Sequence, residues 1–291
     1  MVAMTKSLLR PDQPLRLVDT FPPSAPAHQA IIRVEDLSIV FDAPSGQVIA
    51  VDRVSLTVVQ GEFVSIVGPS GCGKSTLLNA MAGLERPFEG QVLIAGEAMR
   101  VPRPEIGMVF QQPHLFPWKS VRRNIAHGPR ALGKPKAEAL RIADELIEMI
   151  GLTRFASAYP HTLSGGMQQR VAIARALANQ PRVLLMDEPF GALDAQTRAV
   201  MQDNLLELRE RINATIVFVT HDIDEAILLS DRVLIMSAGP GRILRDLQVS
   251  LPRPRSSAIV ADAAYLALKR DCLDLIRSEG RRAFEQMEVK A

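Results

Sequence analysis

A nine-residue run, Gly68-Pro69-Ser70-Gly71-Cys72-Gly73-Lys74-Ser75-Thr76, has the residue types and spacing to hold a polyphosphate. It fits G-x-x-x-x-G-K-[ST], the phosphate-binding P-loop. Its glycines let the backbone wrap closely enough for several N–H groups to point at one anion. Lys74 is expected to reach the β- and γ-phosphates, and Ser75 to hold Mg²⁺. Cys72 lies inside this loop at a helix N-terminus, where a thiol pKa is expected to fall. Alkylation should then inhibit the protein, and MgATP should protect it. Such a loop by itself leaves kinase, GTPase, motor and transport ATPase open.

Three further groups could serve hydrolysis of a nucleoside triphosphate. Asp187-Glu188 follows the apolar run Val183-Leu184-Leu185-Met186. Asp187 suits Mg²⁺. Glu188, one position on, points elsewhere and can deprotonate an attacking water. Gln111, after Ile106 to Phe110, can contact the metal or orient water through its amide. His221, after Thr215 to Val219 and Thr220, can hydrogen-bond the γ-phosphate. Each alone has a bland reading, an interior ion pair or a satisfied polar residue; together, at the ends of buried strands, they suggest one site.

The stretch Leu163-Ser164-Gly165-Gly166-Met167-Gln168-Gln169-Arg170 is a second anion site, a hydroxyl and free N–H groups at a helix N-terminus. The P-loop already wraps the triphosphate, so a second chain could offer its Ser-Gly-Gly to the far side. A head-to-tail pair with two shared ATP sites is expected.

The elements that must position these residues alternate between strand and helix, which argues for a mostly parallel α/β sheet. Phe63 to Val67 reads as a buried strand into the P-loop, and Leu77 to Ala82 as the helix after it, stopped at Gly83. Ile31 to Phe41 and Val48 to Val58 read as strands around a turn at Ala43-Pro44-Ser45-Gly46, and Gly90 to Ile94 as another. From about 112 to 165 the pattern is helical. Lys134 to Ile150 places Ala137, Leu140, Ala143, Ile147 and Ile150 on one face, with Gly151 as a stop. Helices are expected from Met167 to Ala178, Gln196 to Asn213 and Asp222 to Leu229, and a strand from Val233 to Met236. Gly239-Pro240-Gly241 reads as a turn. Tyr265, Leu268, Cys272, Leu275 and Ile276 share a helical face suited to core packing. Residues 1–30, with Pro11, Pro14, Pro22, Pro23 and Pro26, read as a disordered tail.

Composition sets outer bounds. The 291 residues are 47% apolar with net charge +2, enough for a substantial core and without the charge that a polyanionic partner would need. Cys72 and Cys272 are the only cysteines, which argues against a disulfide framework and fits a reducing compartment. No apolar run reaches about 18 residues, so no membrane span is expected. No signal peptide is visible. A soluble, cytoplasmic chain is the expectation.

Taken together, the P-loop, Gln111, LSGGMQQR (163–170), VLLMDEP (183–189), Ala192-Leu193-Asp194 and His221 resemble an ATP-binding cassette (ABC) ATPase over roughly residues 31–250. That resemblance implies a P-loop NTPase core, a mostly parallel sheet with an antiparallel β segment, carrying an inserted α-helical subdomain. It implies ATP and Mg²⁺ as cofactors, with Glu188, Gln111 and His221 catalytic and Ser75, Gln111 and Asp187 at the metal. It implies that the signature, Leu163 to Gln168, contacts the nucleotide of a second copy. Asp194 would lie in the loop joining the two sites, and Phe41 would stack on adenine.

Residues 112–118 (QPHLFPW) and 238–243 (AGPGRI) are similar to bacterial importers of nitrate, sulfonates and taurine. In that group the region after Gln111 docks a helix of an integral membrane permease. Leu115, Phe116 and Trp118 suit this role if exposed; the alternative for all three, strongest for Leu115, is packing within the helical insertion. The implied partners are a second copy, the permease and, indirectly, a periplasmic or lipid-anchored solute-binding protein, at the cytoplasmic face of the membrane. No nucleic acid is expected: repair members carry long coiled-coil insertions and translation members usually two cassettes, neither present here.

Overall fold

Strands that read as unbroken apolar runs are covered on both faces. The computed structural model describes residues 29–44, 46–191, 193–211 and 214–290. The proposed tail through residue 28, Ser45 of the expected turn, Ala192 and Asn213 lie outside them. Strands β1 (Ala30–Ala43) and β2 (Gly46–Val59) form a long antiparallel hairpin. With β4 (Glu89–Ile94) and β5 (Glu97–Ala98) they make a sheet in the order β2-β1-β4-β5. The second sheet contains β3 (Phe63–Val67), β6 (Ile106–Val109), β7 (Val183–Asp187), β8 (Thr215–Val219), β9 (Arg232–Met236) and β10 (Ile243–Gln248). Its order is β10-β9-β3-β8-β7-β6, parallel except for β10.

Side chains alternate between cores as the period of two requires. Val64 and Ile66 of β3, Val183 and Leu185 of β7, and Val217 and Val219 of β8 face the hairpin sheet and helix α1 (Lys74–Met81). Phe63, Leu184, Met186, Ile216 and Phe218 face the helical side, with α2 (Val121–Ile125), α4 (Lys136–Met149) and α5 (Gly165–Leu177). Helices α3 (His127–Ala131) and α6 (Ala195–Arg211) complete that side. A third cluster joins Val67, Val233 and Ile235 to α7 (Ile223–Leu229) and α8 (Ala263–Lys290). Tyr265 and Cys272 are buried there and Leu268, Leu275 and Ile276 pack against it, as core packing requires.

One expectation about an element is corrected, and one element was not expected at all. The buried stripe of α4 is Ala139, Ile142, Ala143, Leu146 and Ile147, whereas Ala137 is exposed. Of the other expected positions, Ala143, Ile147 and Ile150 are buried and Leu140 packs against the same core, so Ala137, in the first turn of the helix, is the one that leaves the expected face. Strand β10 carries no apolar alternation (ILRDLQ, mostly exposed) and was invisible to pattern reading. It exists because it pairs with the edge of β9, and Arg232 of β9 locks it through Asp246 at 2.6 Å.

Candidate active site

The P-loop is a backbone cradle whose glycines are dictated by neighbours. Gly73 adopts φ 95, and a Cβ there would lie 2.5 Å from the Ala50 carbonyl oxygen of β2. Gly241 meets the loop from the other side: its Cβ would fall 2.1 Å from the Cys72 carbonyl oxygen. The Gly239-Pro240-Gly241 turn therefore buttresses the P-loop, a role that sequence reasoning missed. Its N–H also bonds the Ala50 carbonyl at 3.0 Å. No side chain caps α1, whose first N–H groups follow the cradle. Lys74 is buried and its Nζ donates to the carbonyls of Gly68 (3.0 Å) and Pro69 (2.9 Å).

Cys72 departs from expectation. Its side chain is buried in the core beneath the loop, beside Leu77, Leu78 and Met236. Burial raises its pKa, outweighing the nearby Lys74 charge, so it is an inert packing thiol and not an exposed thiolate.

Four neighbouring strands deliver the remaining groups from their carboxyl ends. In spatial order β3 leads to the P-loop, β8 to Thr220-His221, β7 to Asp187-Glu188 and β6 to Gln111. Ser75 Oγ donates to Asp187 Oδ1 at 3.0 Å, which places the hydroxyl and carboxylate for one cation side by side. Burial is the main cause that raises the Asp187 pKa; the Ser75 hydrogen bond opposes it, and Glu188 adds to it. The paired oxygen donors of Ser75 and Asp187 match a hard divalent ion. Glu188 gathers the other two: Gln111 Nε2 donates to its Oε2 at 3.3 Å, and His221 Nδ1 lies 3.2 Å from the same oxygen. Glu188 sits at φ 43, a conformation uncommon for a side-chain-bearing residue. Its N–H donates to the Val219 carbonyl of β8 at 2.9 Å, which ties it to the strand that carries His221.

The Ser-Gly-Gly helix end is built as expected. Ser164 is the N-cap of α5 and its Oγ accepts from the Met167 N–H at 3.3 Å. Ser164 and Gly165 are exposed, and a Cβ at Gly165 would meet nothing within 4 Å. Leu163 and Met167 face inward, anchoring the turn in the helical-side core. Gln168 turns its amide back onto the carbonyls of Pro160 (3.0 Å) and Leu163 (3.3 Å). Gln169 is the residue sequence reasoning overlooked: it is 1% exposed, and its Nε2 donates to the Phe110 carbonyl at 3.1 Å, linking this helix to Gln111. Its place three and four residues before buried Ala172 and Ile173 is the signal that could have found it. Asp194, at the end of its loop, caps α6, accepting from Thr197 N–H (2.9 Å) and Thr197 Oγ1 (2.7 Å).

Comparison with known proteins agrees with this geometry. The sequence profile of the family described as "ABC transporter" matches residues 51–191. An uncharacterized ABC transporter ATP-binding protein of Methanocaldococcus jannaschii is 46% identical over 248 residues, spanning 85% of this chain and 92% of that protein. This chain belongs to the ABC transporter ATP-binding family. The cassette is also 45% identical over 255 residues to a nitrate import ATP-binding protein of Synechocystis, covering 86% of this chain and 38% of that longer protein. A solved dimeric ATP-binding cassette in a post-hydrolysis state with ADP and phosphate superposes with TM-score 0.70 at 35% identity, over 76% of this chain and 100% of that one. The cassette is an ATP-hydrolysing transporter ATPase that resembles the nitrate importer group.

Two exposed surfaces of the cassette carry residues singled out in the sequence. Phe41 is 39% exposed near the tip of the β1–β2 hairpin, cross-strand from Val48. After Gln111, Trp118 is 69% exposed, but Leu115 packs into the helical-side core, so the packing alternative holds for it. Phe116 is half-buried, its ring 4.7 Å from His127 and 5.8 Å from Trp118. Buried Asn124 pins this loop, accepting from the Phe116 N–H (2.9 Å) and donating to the Lys119 carbonyl (2.8 Å). Beside it lies a groove of about 670 Å³ rimmed by Lys119, Arg122, Arg123, His127, Arg130 and Lys136, with no acidic residue in its lining. Among the described residues no helix is long and apolar enough to cross a membrane.

Proposed function

We propose that the chain is the ATP-hydrolysing subunit of a bacterial importer, working as a head-to-tail dimer that drives uptake of a small solute through separate membrane subunits. Residues 31–250 form the ATPase domain, 112–165 its helical insertion and 251–291 a C-terminal extension. The observation that carries the catalytic reading is the convergence of Gln111 and His221 on one oxygen of Glu188, beside the Ser75–Asp187 pair. Backbone N–H groups of Gly68 to Thr76 bind the phosphates, and Lys74 leaves its carbonyl partners to neutralise the β- and γ-oxygens. Ser75, Asp187 and Gln111 would hold Mg²⁺, which when bound neutralises charge on the phosphate oxygens. Glu188 takes the proton of the attacking water at its carboxylate, while Gln111 orients that water and His221 holds the γ-phosphate. Phe41 stacks on the base.

Exposed Ser164 and Gly165 support the dimer reading, because they present a ready helix N-terminus to a partner's nucleotide. Moving a pair from mostly open to mostly closed takes about 5.5 kcal/mol. Each of two shared sites then supplies a little under about 3 kcal/mol, within reach of charge-assisted bonds from the Ser164 hydroxyl and several N–H groups. The basic groove beside exposed Trp118 suits an acidic cytoplasmic helix of the permease, and a peripheral position on the cytoplasmic face follows. The nitrate-import relative favours a small anionic solute of the nitrate, sulfonate or taurine kind.

The test is Glu188→Gln in the full chain. ATP binding should survive, hydrolysis should fall by about 10²–10⁴-fold, and ATP should trap a dimer visible by light scattering. Hydrolysis at the parental rate would remove Glu188 as the base.

A further inference from the structure

His221 has little to hold it directly. Its side chain is 62% exposed, and its contact with Glu188 is a single one at 3.2 Å. Its position is set by the chain on either side. Thr220 Oγ1 donates to Glu225 Oε2 at 2.7 Å and accepts from the Asp222 N–H at 3.0 Å. Asp222 caps α7, accepting from the N–H groups of Asp224 (2.8 Å) and Glu225 (3.2 Å). Residues 220–225 are thus tied to α7, and Thr220 is tied also to β3 by its N–H on the Ile66 carbonyl at 3.2 Å, so the placement of His221 depends on how α7 sits against that sheet.

Helix α7 is only seven residues long, and two elements hold it by polar contacts. On one side α6 reaches its first turn, with Arg198 near Asp222 (3.6 Å) and Glu225 (3.7 Å) and Gln202 on Glu225 (3.3 Å). On the other, the C-terminal extension takes both ends. Buried Arg255 donates to the carbonyls of Ile227 (3.2 Å), Leu228 (3.4 Å) and Ser230, the groups a helix leaves unpaired at its C-terminus. At the N-terminal end Tyr265 Oη donates to Asp224 Oδ1 at 2.7 Å, and Lys269 Nζ to Asp224 Oδ2 at 2.8 Å. Tyr265 is 1% exposed, in the apolar cluster that also holds Ala226, Ile227 and Val67, the residue before the P-loop.

We infer that Arg255, Tyr265 and Lys269 are positioning residues for His221: the C-terminal extension clamps α7 at both ends and thereby holds the imidazole against Glu188. This rests on the catalytic reading of His221 given above. A clamp on the first turn sits beside His221, so a small tilt of α7 is carried directly to the ring, and a displacement near about 1 Å can cost up to about a hundredfold in rate.

The experiment uses the full chain carrying Tyr265→Phe with Lys269→Met, which removes both polar contacts and keeps the buried volume. Asp224→Asn, at a side chain 49% exposed, is the second variant, because it removes the charge without disturbing buried volume. Both should lower kcat for MgATP about tenfold while KM stays within about twofold, and Lys269→Arg should restore the rate. The same pair placed in a His221→Ala background should change residual single-turnover hydrolysis by no more than about twofold, because the residue it positions is gone. An undiminished kcat, or an equal tenfold fall without His221, would overturn the clamp and leave the extension a mere brace. If His221→Ala alone hydrolysed ATP at the parental rate, the catalytic reading would fail, and that arm identifies this failure separately.

Discussion

Among single residues, environment decides chemistry more than identity does. Cys72 lies in an anion-binding loop, yet its thiol points into the core and burial raises its pKa. Iodoacetamide should therefore label Cys72 slowly in the native chain at neutral pH, with MgATP making little difference, as read by mass spectrometry. Rapid labelling blocked by nucleotide would show the thiol facing the phosphates after all. His127 shows the same rule with opposite sign. Its Nδ1 accepts from Lys119 at 2.7 Å, and burial first, then the charges of Lys119 and Arg175, lower its pKa. The unfolded chain takes up this proton near about pH 6.5, while the folded chain resists until a lower pH. Protonation thus favours unfolding, and stability is lost as pH falls below about 6.5. Urea midpoints should drop less on acidification for His127→Gln than for the parent; equal drops would exclude His127 as a source.

For elements, the Ser-Gly-Gly helix end separates folding from function. A methyl at Gly165 has open space in the lone protomer and lies in the first helical turn. Alanine there should leave stability unchanged or raise it by up to about 1 kcal/mol, since glycine is the poorer helix former. The same methyl should obstruct a nucleotide brought by a second copy. Gly165→Ala combined with Glu188→Gln is expected to melt no earlier than the single variant yet to form no ATP-dependent dimer. A dimer of undiminished affinity, seen by sedimentation, would count against this helix end as the shared surface. Gln169 illustrates a link between elements: one buried amide joins α5 to the carbonyl of Phe110, the residue before Gln111.

At the scale of the whole molecule, the cassette presents a basic groove and an exposed Trp118 beside the loop that follows Gln111. If a permease docks there, tagged chain isolated from its native membranes should carry an integral membrane protein through detergent purification. Replacing Arg123 and Lys136 with glutamate should break that association while leaving ATP binding intact; unaffected co-purification would move the docking surface elsewhere. By itself the sequence determined the local devices: the P-loop, the Ser164 cap, the buried strands, and Asp187-Glu188 at a strand end. These follow from short-range spacing, which backbone geometry converts directly into shape. It could not show the exposure of Ala137, the edge strand β10, the inward turn of Cys72 or the buttress at Gly241, because each depends on what lies across a gap in the chain. Above all, only the tertiary structure decided that β8 inserts between β3 and β7. Residues 74, 111, 188 and 221 are spread along the chain, and strand order alone brings them to one edge of one sheet, since a parallel sheet presents all its carboxyl ends on the same side.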